Sequence, residues 1–158
     1  MRAAEQRDNA NRQQVAREAV KRTQIRKLEM AANELIPKAL QALAAQGYPG
    51  IREIEVYVPR TGLGLVMGKE RLTKLGAYKA SEFYHRESSM SPAGYRDVSL
   101  LSNGRINVGS GSYSVSEFAQ QVLNHEGLGN KGNWNFGEPF SIAGMEAFVD
   151  GLRNLASS

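Results

Sequence analysis

The chain has 158 residues, no cysteine, 41% hydrophobic residues and a formal net charge of +4. The absence of cysteine excludes disulfides, thiolate metal sites and Cys nucleophiles. No apolar run approaches the roughly 18–20 residues of a membrane-spanning helix. The whole charge excess falls in residues 1–46, with nine Lys/Arg against five Asp/Glu, while residues 47–158 carry eleven of each.

Residues 1–46 contain no glycine and one proline, Pro37, and are dominated by Ala, Gln, Arg, Glu, Lys and Leu. These are good helix formers. Asp8 with Arg12, Glu18 with Arg22, and Glu34 with Lys38 stand four apart in the favourable acid-first order. A long basic helical arm is expected, in two chemically different halves. From residue 25 the apolar positions Ile25, Leu28, Ala32, Leu35, Ala39 and Leu43, widened by Ile36 and Leu40, form one stripe suited to docking on a core. After Met1, the only apolar residues larger than alanine before Ile25 are Val15 and Val20, so residues 1–24 form a polar extension that cannot bury enough surface to hold itself down. Pro37 lacks an N–H, so it is expected to kink this helix or to start a second short one.

Gly47-Tyr48-Pro49-Gly50 reads as a helix stop and turn. Residues 51–58 alternate, with Ile54, Val56 and Val58 on one side and Glu53, Glu55 and Tyr57 on the other, which predicts a half-buried strand. Residues 59–62 read as a turn, 63–67 as a strand, 69–74 as a charged connector and 75–87 as a long strand. Residues 88–94 form a loop. Asn103-Gly104 between apolar runs at 96–102 and 105–108 signals a hairpin, because both residues tolerate positive φ. Residues 109–112 close that strand with small, flexible side chains.

Ser114-Val115-Ser116-Glu117 fits a capping box. The helix after it buries Val115, Phe118, Ala119, Val122 and Leu123, and Gly127 stops it. Residues 127–139 form a Gly/Asn-rich loop that holds the single tryptophan, Trp134, with Phe136 nearby. Ser141 caps a last helix with Ile142, Met145, Phe148, Val149, Leu152 and Leu155 on one face. The order is one helix, about five strands, then two helices. This predicts an α+β fold in which an antiparallel meander is covered by helices on one face. About 110 residues suffice for one core, so residues 47–158 are expected to form a single neutral domain behind the arm.

Catalytic motifs fail on spacing. The glycines of 62–68 before Lys69 match neither a Walker A loop nor a GxGxxG turn. No GxSxG elbow is present. With two histidines, His85 and His125, a three-His zinc site is impossible. His125 falls in the last turn of a helix, where an imidazolium complements the helix dipole. Glu53 and Glu55 share a solvated strand face and so lack the unequal environments that acid–base division needs.

The leading expectation is a non-enzymatic binding or assembly module, because one-sided charge points to a partner at the arm. Arg7, Arg12, Arg17, Arg22, Arg26 and Lys27 would engage a protein partner or a second copy. Trp134 and Phe136 would offer a second contact, as aromatic anchors among adaptable polar neighbours. One alternative is a nucleic-acid arm using Arg12, Arg17, Lys21 and Arg22. Against it, Arg2, Arg7, Arg12, Arg17 and Arg22 recur every five residues, and five steps of about 100° spread them around the helix rather than along one stripe. Another alternative is a small enzyme or ligand-binding domain using His85, His125 and Glu126. No metal or cofactor is expected. The N-terminus shows no apolar signal region, so a cytoplasmic location is the default expectation.

Overall fold

The computed structural model describes residues 2–48, 52–59, 70–89, 91–109, 111–129 and 138–157. The first helix, α1 (Arg2–Ala45), runs 44 residues with Pro37 inside it. Five strands follow: β1 (Arg52–Pro59), β2 (Glu70–His85), β3 (Gly94–Leu101), β4 (Ile106–Val108) and β5 (Gly111–Tyr113). Among the described residues, helix α2 (Val115–His125), a 3₁₀ turn (Glu138–Phe140) and helix α3 (Ile142–Ser157) follow and make the fold α+β. The strands form one sheet in sequential order, each antiparallel to the next.

Local chemistry sets the ends of these elements. Gly47 (φ 71) and Tyr48 (φ 55) turn left-handed after α1, and Tyr48 N–H donates to Leu43 O at 2.8 Å. That closes the helix by returning the chain to an orphan carbonyl. The capping box of α2 is complete: Glu117 N–H donates to Ser114 Oγ and Ser114 N–H donates to Glu117 Oε1. Gly127 (φ 76) ends that helix. Ser141 Oγ accepts the Gly144 N–H at 2.9 Å at the start of α3.

The hairpin at Asn103-Gly104 forms, but only Gly104 takes positive φ, at 87°. Gly104 N–H reaches Leu101 O and Leu101 N–H reaches Arg105 O, both at 2.8 Å. This is a three-residue loop with a left-handed glycine at its end, which pairs a type I turn with a bulge.

Three expectations are corrected. Helix α1 continues through Pro37 with no second helix, because Ile36, Ala39 and Leu43 stay buried on either side of it. Packing of that face outweighs the one hydrogen bond that proline removes. Residues 70–74 are the start of β2 rather than a connector, with Thr73 opposite Val56 and Lys74 opposite Glu55. Charged side chains on a solvated strand face gave them a connector's composition. Residues 111–113 form β5 rather than a loose closure, paired to β4 from Val108↔Gly111 to Ile106↔Tyr113. The expected strand at 63–67 lies outside the described residues.

The sheet has two apolar faces. Val98, Leu100, Ile106 and Val108 face the helices and pack with Ile25, Ala32, Ile36 and Ala39 of α1, Phe118 and Val122 of α2, and Phe148 and Leu152 of α3. Phe118 sits at the centre, 5.2 Å from Phe140 and 5.7 Å from Phe148 between ring centroids. The docked half of α1 thus belongs to the main core, as its apolar stripe requires. A second, smaller core of Val56, Val58, Ala77 and Leu101 lies inside a curl of the sheet. The curl brings β5 to β1, where Ser112 Oγ donates to Tyr57 O at 2.8 Å. Arg105 holds this clasp, donating to Ser112 Oγ at 3.2 Å, Ser112 O at 3.0 Å and Glu117 Oε1 at 3.2 Å.

Candidate functional site

Every residue from Arg2 to Arg17 is exposed, so the first four to five turns of α1 project from the body. Arg7, Arg12 and Arg17 all lie on this projecting segment, and Arg17 Nε reaches only its own helix, at Gln13 O 3.4 Å away. Further along, the helix is tied down. Lys21 Nζ lies 3.4 Å from Glu126 Oε2, Arg22 Nη2 donates to Leu128 O at 3.2 Å, and Gln24 Nε2 donates to Glu146 Oε1 at 2.8 Å. Lys21 and Arg22 therefore serve the attachment of α1 to the body. Arg26 and Lys27 are exposed on the docked half.

The outward side of α1 has a pattern of its own. Arg12, Ala16, Ala19, Thr23, Arg26 and Met30 follow a four–three alternation and are all exposed. This is the spacing of a helix seam that meets another helix. Thr23 and Met30 stand two residues before the buried Ile25 and Ala32. Two steps back is about 160° around the helix, so the seam faces away from the body. Val15 and Val20 flank it, 65% and 66% exposed, and Met30 is 63% exposed. Two shallow, open depressions that share Ala19 run along its Val15 and Val20 flank, one lined by Arg12, Val15, Ala16 and Ala19 and the other by Ala19, Val20, Thr23 and Lys27. Small alanines between longer side chains make that concavity. The sequence carried this pattern, but alanine and threonine give it too little hydrophobic contrast to stand out beside the stripe that starts at Ile25.

His85 and His125 come together, lining one cleft of about 330 Å³ with Phe83, Tyr84, Arg86 and Glu138. His85 stands at the end of β2, and His125 in the last turn of α2. Each has one buried ring nitrogen, Nε2 of His85 and Nδ1 of His125, without a hydrogen-bond partner. Glu126 is committed elsewhere: its Oε1 accepts the Ile142 N–H at 3.1 Å and its Oε2 faces Lys21. Its Oε1 is 3.9 Å from His125 Nδ1. Among the described residues no three metal-ligating side chains lie together, and no helix is long and apolar enough to cross a membrane. Trp134 and Phe136 lie outside the described residues.

No family model, no curated protein and no solved structure matches this chain.

Proposed function

We propose that the chain is a docking module whose outward helix seam binds a partner protein of acidic character. The observation that carries this reading is the seam itself: Ala16, Ala19, Thr23 and Met30, flanked by Val15 and Val20, exposed on a helix whose first sixteen described residues make no use of the body. A lone helix of that length is marginal in water, and helices draw most of their stability from packing a face. A second helix laid along the seam supplies that packing.

Charge selects the partner. Residues 1–24 carry six Lys/Arg against three Asp/Glu, so a second copy of the arm meets like charge whereas an acidic helix meets opposite charge. The arginines at positions 2, 7, 12, 17 and 22 spread around the helix rather than in one phosphate-tracking row, which favours protein over a nucleic-acid duplex. The body then acts as the cargo or anchor that the arm brings to the partner.

The test compares the tagged full chain with a chain lacking residues 2–17, each returned to cells that naturally make it, by size-exclusion chromatography with light scattering. The full chain elutes within a larger, nuclease-resistant assembly, and the shortened chain elutes at its own mass. Equal elution of the two chains refutes the proposal. A nuclease-sensitive assembly replaces it with the nucleic-acid alternative.

A further inference from the structure

The mouth of the sheet's curl is a cleft of about 270 Å³ on the face turned away from the helices. Ile54, Val56 and Ala77 make its apolar floor, while Ser99 and Asn107 make a polar wall. These two are opposite each other in the β3–β4 ladder and are the buried polar side chains of the described residues, 6% and 8% exposed. Asn107 Oδ1 is buried with no hydrogen-bond partner. Leaving such an acceptor unsatisfied costs about 1–3 kcal/mol, and an apolar side chain of the same shape avoids that cost. The amide contributes nothing to the sheet that explains its presence. It lines a cleft, and a ligand carrying a donor would satisfy it.

The rim supplies charge. Arg52 Nη1 stands 3.8 Å from Asp97 Oδ2, whereas Lys79 Nζ is held by Glu82 Oε2 at 2.8 Å and reaches Asp97 Oδ1 only at 3.7 Å. Arg52 is held only by that long contact and keeps donors for an anionic group, while Asp97 and Glu55 on the same rim favour a cationic group beside it. Arg52 and Asp97 both border the cleft. The volume falls just under the about 300–1,000 Å³ of pockets that hold drug-sized ligands, so the occupant is small. It needs a hydrogen-bond donor for Asn107, an anionic end for Arg52 and a short apolar body for the floor. A fatty acid lacks the donor, and a neutral sugar lacks both the anion and the apolar body.

We propose that this cleft binds a free α-amino acid with an apolar side chain. Its ammonium donates to Asn107 Oδ1 beside Asp97, its carboxylate pairs with Arg52, and its side chain lies on Ile54, Val56 and Ala77. This site is independent of the arm, and deletion of residues 2–17 leaves it intact.

The test is titration calorimetry on the full chain with L-valine and L-leucine. Isobutylamine lacks the carboxylate, and isovalerate lacks the ammonium. At least one amino acid binds, and removing either charged group weakens binding by about tenfold or more. Asn107→Leu abolishes binding while the fold keeps or gains thermal stability. Arg52→Gln, at a largely exposed position, weakens binding by about tenfold and keeps the proposal falsifiable if Asn107→Leu fails to fold. No heat with either amino acid up to about 10 mM overturns the proposal. So does binding of isovalerate as tight as that of the amino acids, or binding unchanged in Arg52→Gln.

Discussion

Gly151 of α3 lies directly against the carbonyl oxygen of Ala80 in β2: a Cβ at Gly151 would overlap that oxygen. The contact falls at the register shift of β2 between Lys79 and Ser81, where the ladder to β3 skips one residue. The bulge pushes backbone toward the helix, and only glycine leaves room for it.

Gly151→Ala therefore destabilises the fold, although alanine is the better helix former by about 1 kcal/mol. Overlap with a fixed backbone atom costs about 1–3 kcal/mol or more, which outweighs propensity. Urea unfolding followed by circular dichroism measures the difference. A variant as stable as the parent would mean that α3 does not pack this closely on the bulge.

The capping box of α2 predicts both a mutational cost and a pH dependence. Ser114→Ala removes the acceptor for the Glu117 N–H and lowers stability by about 1 kcal/mol. Burial pulls the Glu117 carboxyl upward, but hydrogen bonds from Ser114 and the Arg105 guanidinium outweigh it and hold the group below its ordinary value. A carboxylate depressed in the folded state contributes stability above its unfolded pKa and loses it as pH falls through the lower folded value. Stability should therefore drop on acidification from the ordinary glutamate range downward. Glu117→Gln removes part of that drop, which urea midpoints between neutral pH and about pH 3 will read.

Glu126 joins three helices: it follows α2, accepts the first N–H of α3 at 3.1 Å and faces Lys21 of α1 at 3.4 Å. Glu126→Gln keeps an acceptor for Ile142 and loses only the attraction to a half-exposed lysine, so its cost stays within about 0–1 kcal/mol. Glu126→Ala also strips the α3 N–H of its partner, at about 1–2 kcal/mol. Chemical denaturation of both variants separates the two contributions. Equal losses would assign the whole effect to the ion pair.

Deletion of residues 2–17 leaves the melting temperature of the isolated chain within about 1–2 °C, because no buried side chain precedes Ile25 in α1. Deletion through residue 24 costs more, since it also removes the contacts of Lys21, Arg22 and Gln24 to the body. Differential scanning calorimetry of the two truncations distinguishes them. A large loss on the shorter deletion would mean that the projecting turns stabilise the body.

Much of the fold was legible because the signals are local and redundant. The α2 cap, the glycine stops at Gly47 and Gly127 and the apolar face of α3 each declare themselves within a few residues. The start of β2 and all of β5 were not legible. Lys74 is exposed, opposite Glu55 in the ladder and 3.6 Å from Glu53, and Gly111-Ser112-Tyr113 has no alternating apolar face; both depend on partners distant in sequence. The candidate sites follow the same rule. The charge of the arm was visible, whereas the shared cleft of His85 and His125 and the burial of Asn107 arise only when the sheet curls and the 3₁₀ turn packs against β2 beside the end of α2.

The proposed contact between the outward seam of α1 and an acidic protein can be read in place. A photo-crosslinking residue at Ala19, with one at exposed Tyr95 on the sheet as reference, reads it out in the cells that make this chain. One discrete protein adduct is expected from position 19, carried on an acidic helix and lost when Ala16 is replaced by Glu. The proposed contact is contradicted if position 19 crosslinks no more than position 95, or if its adduct survives Ala16→Glu unchanged.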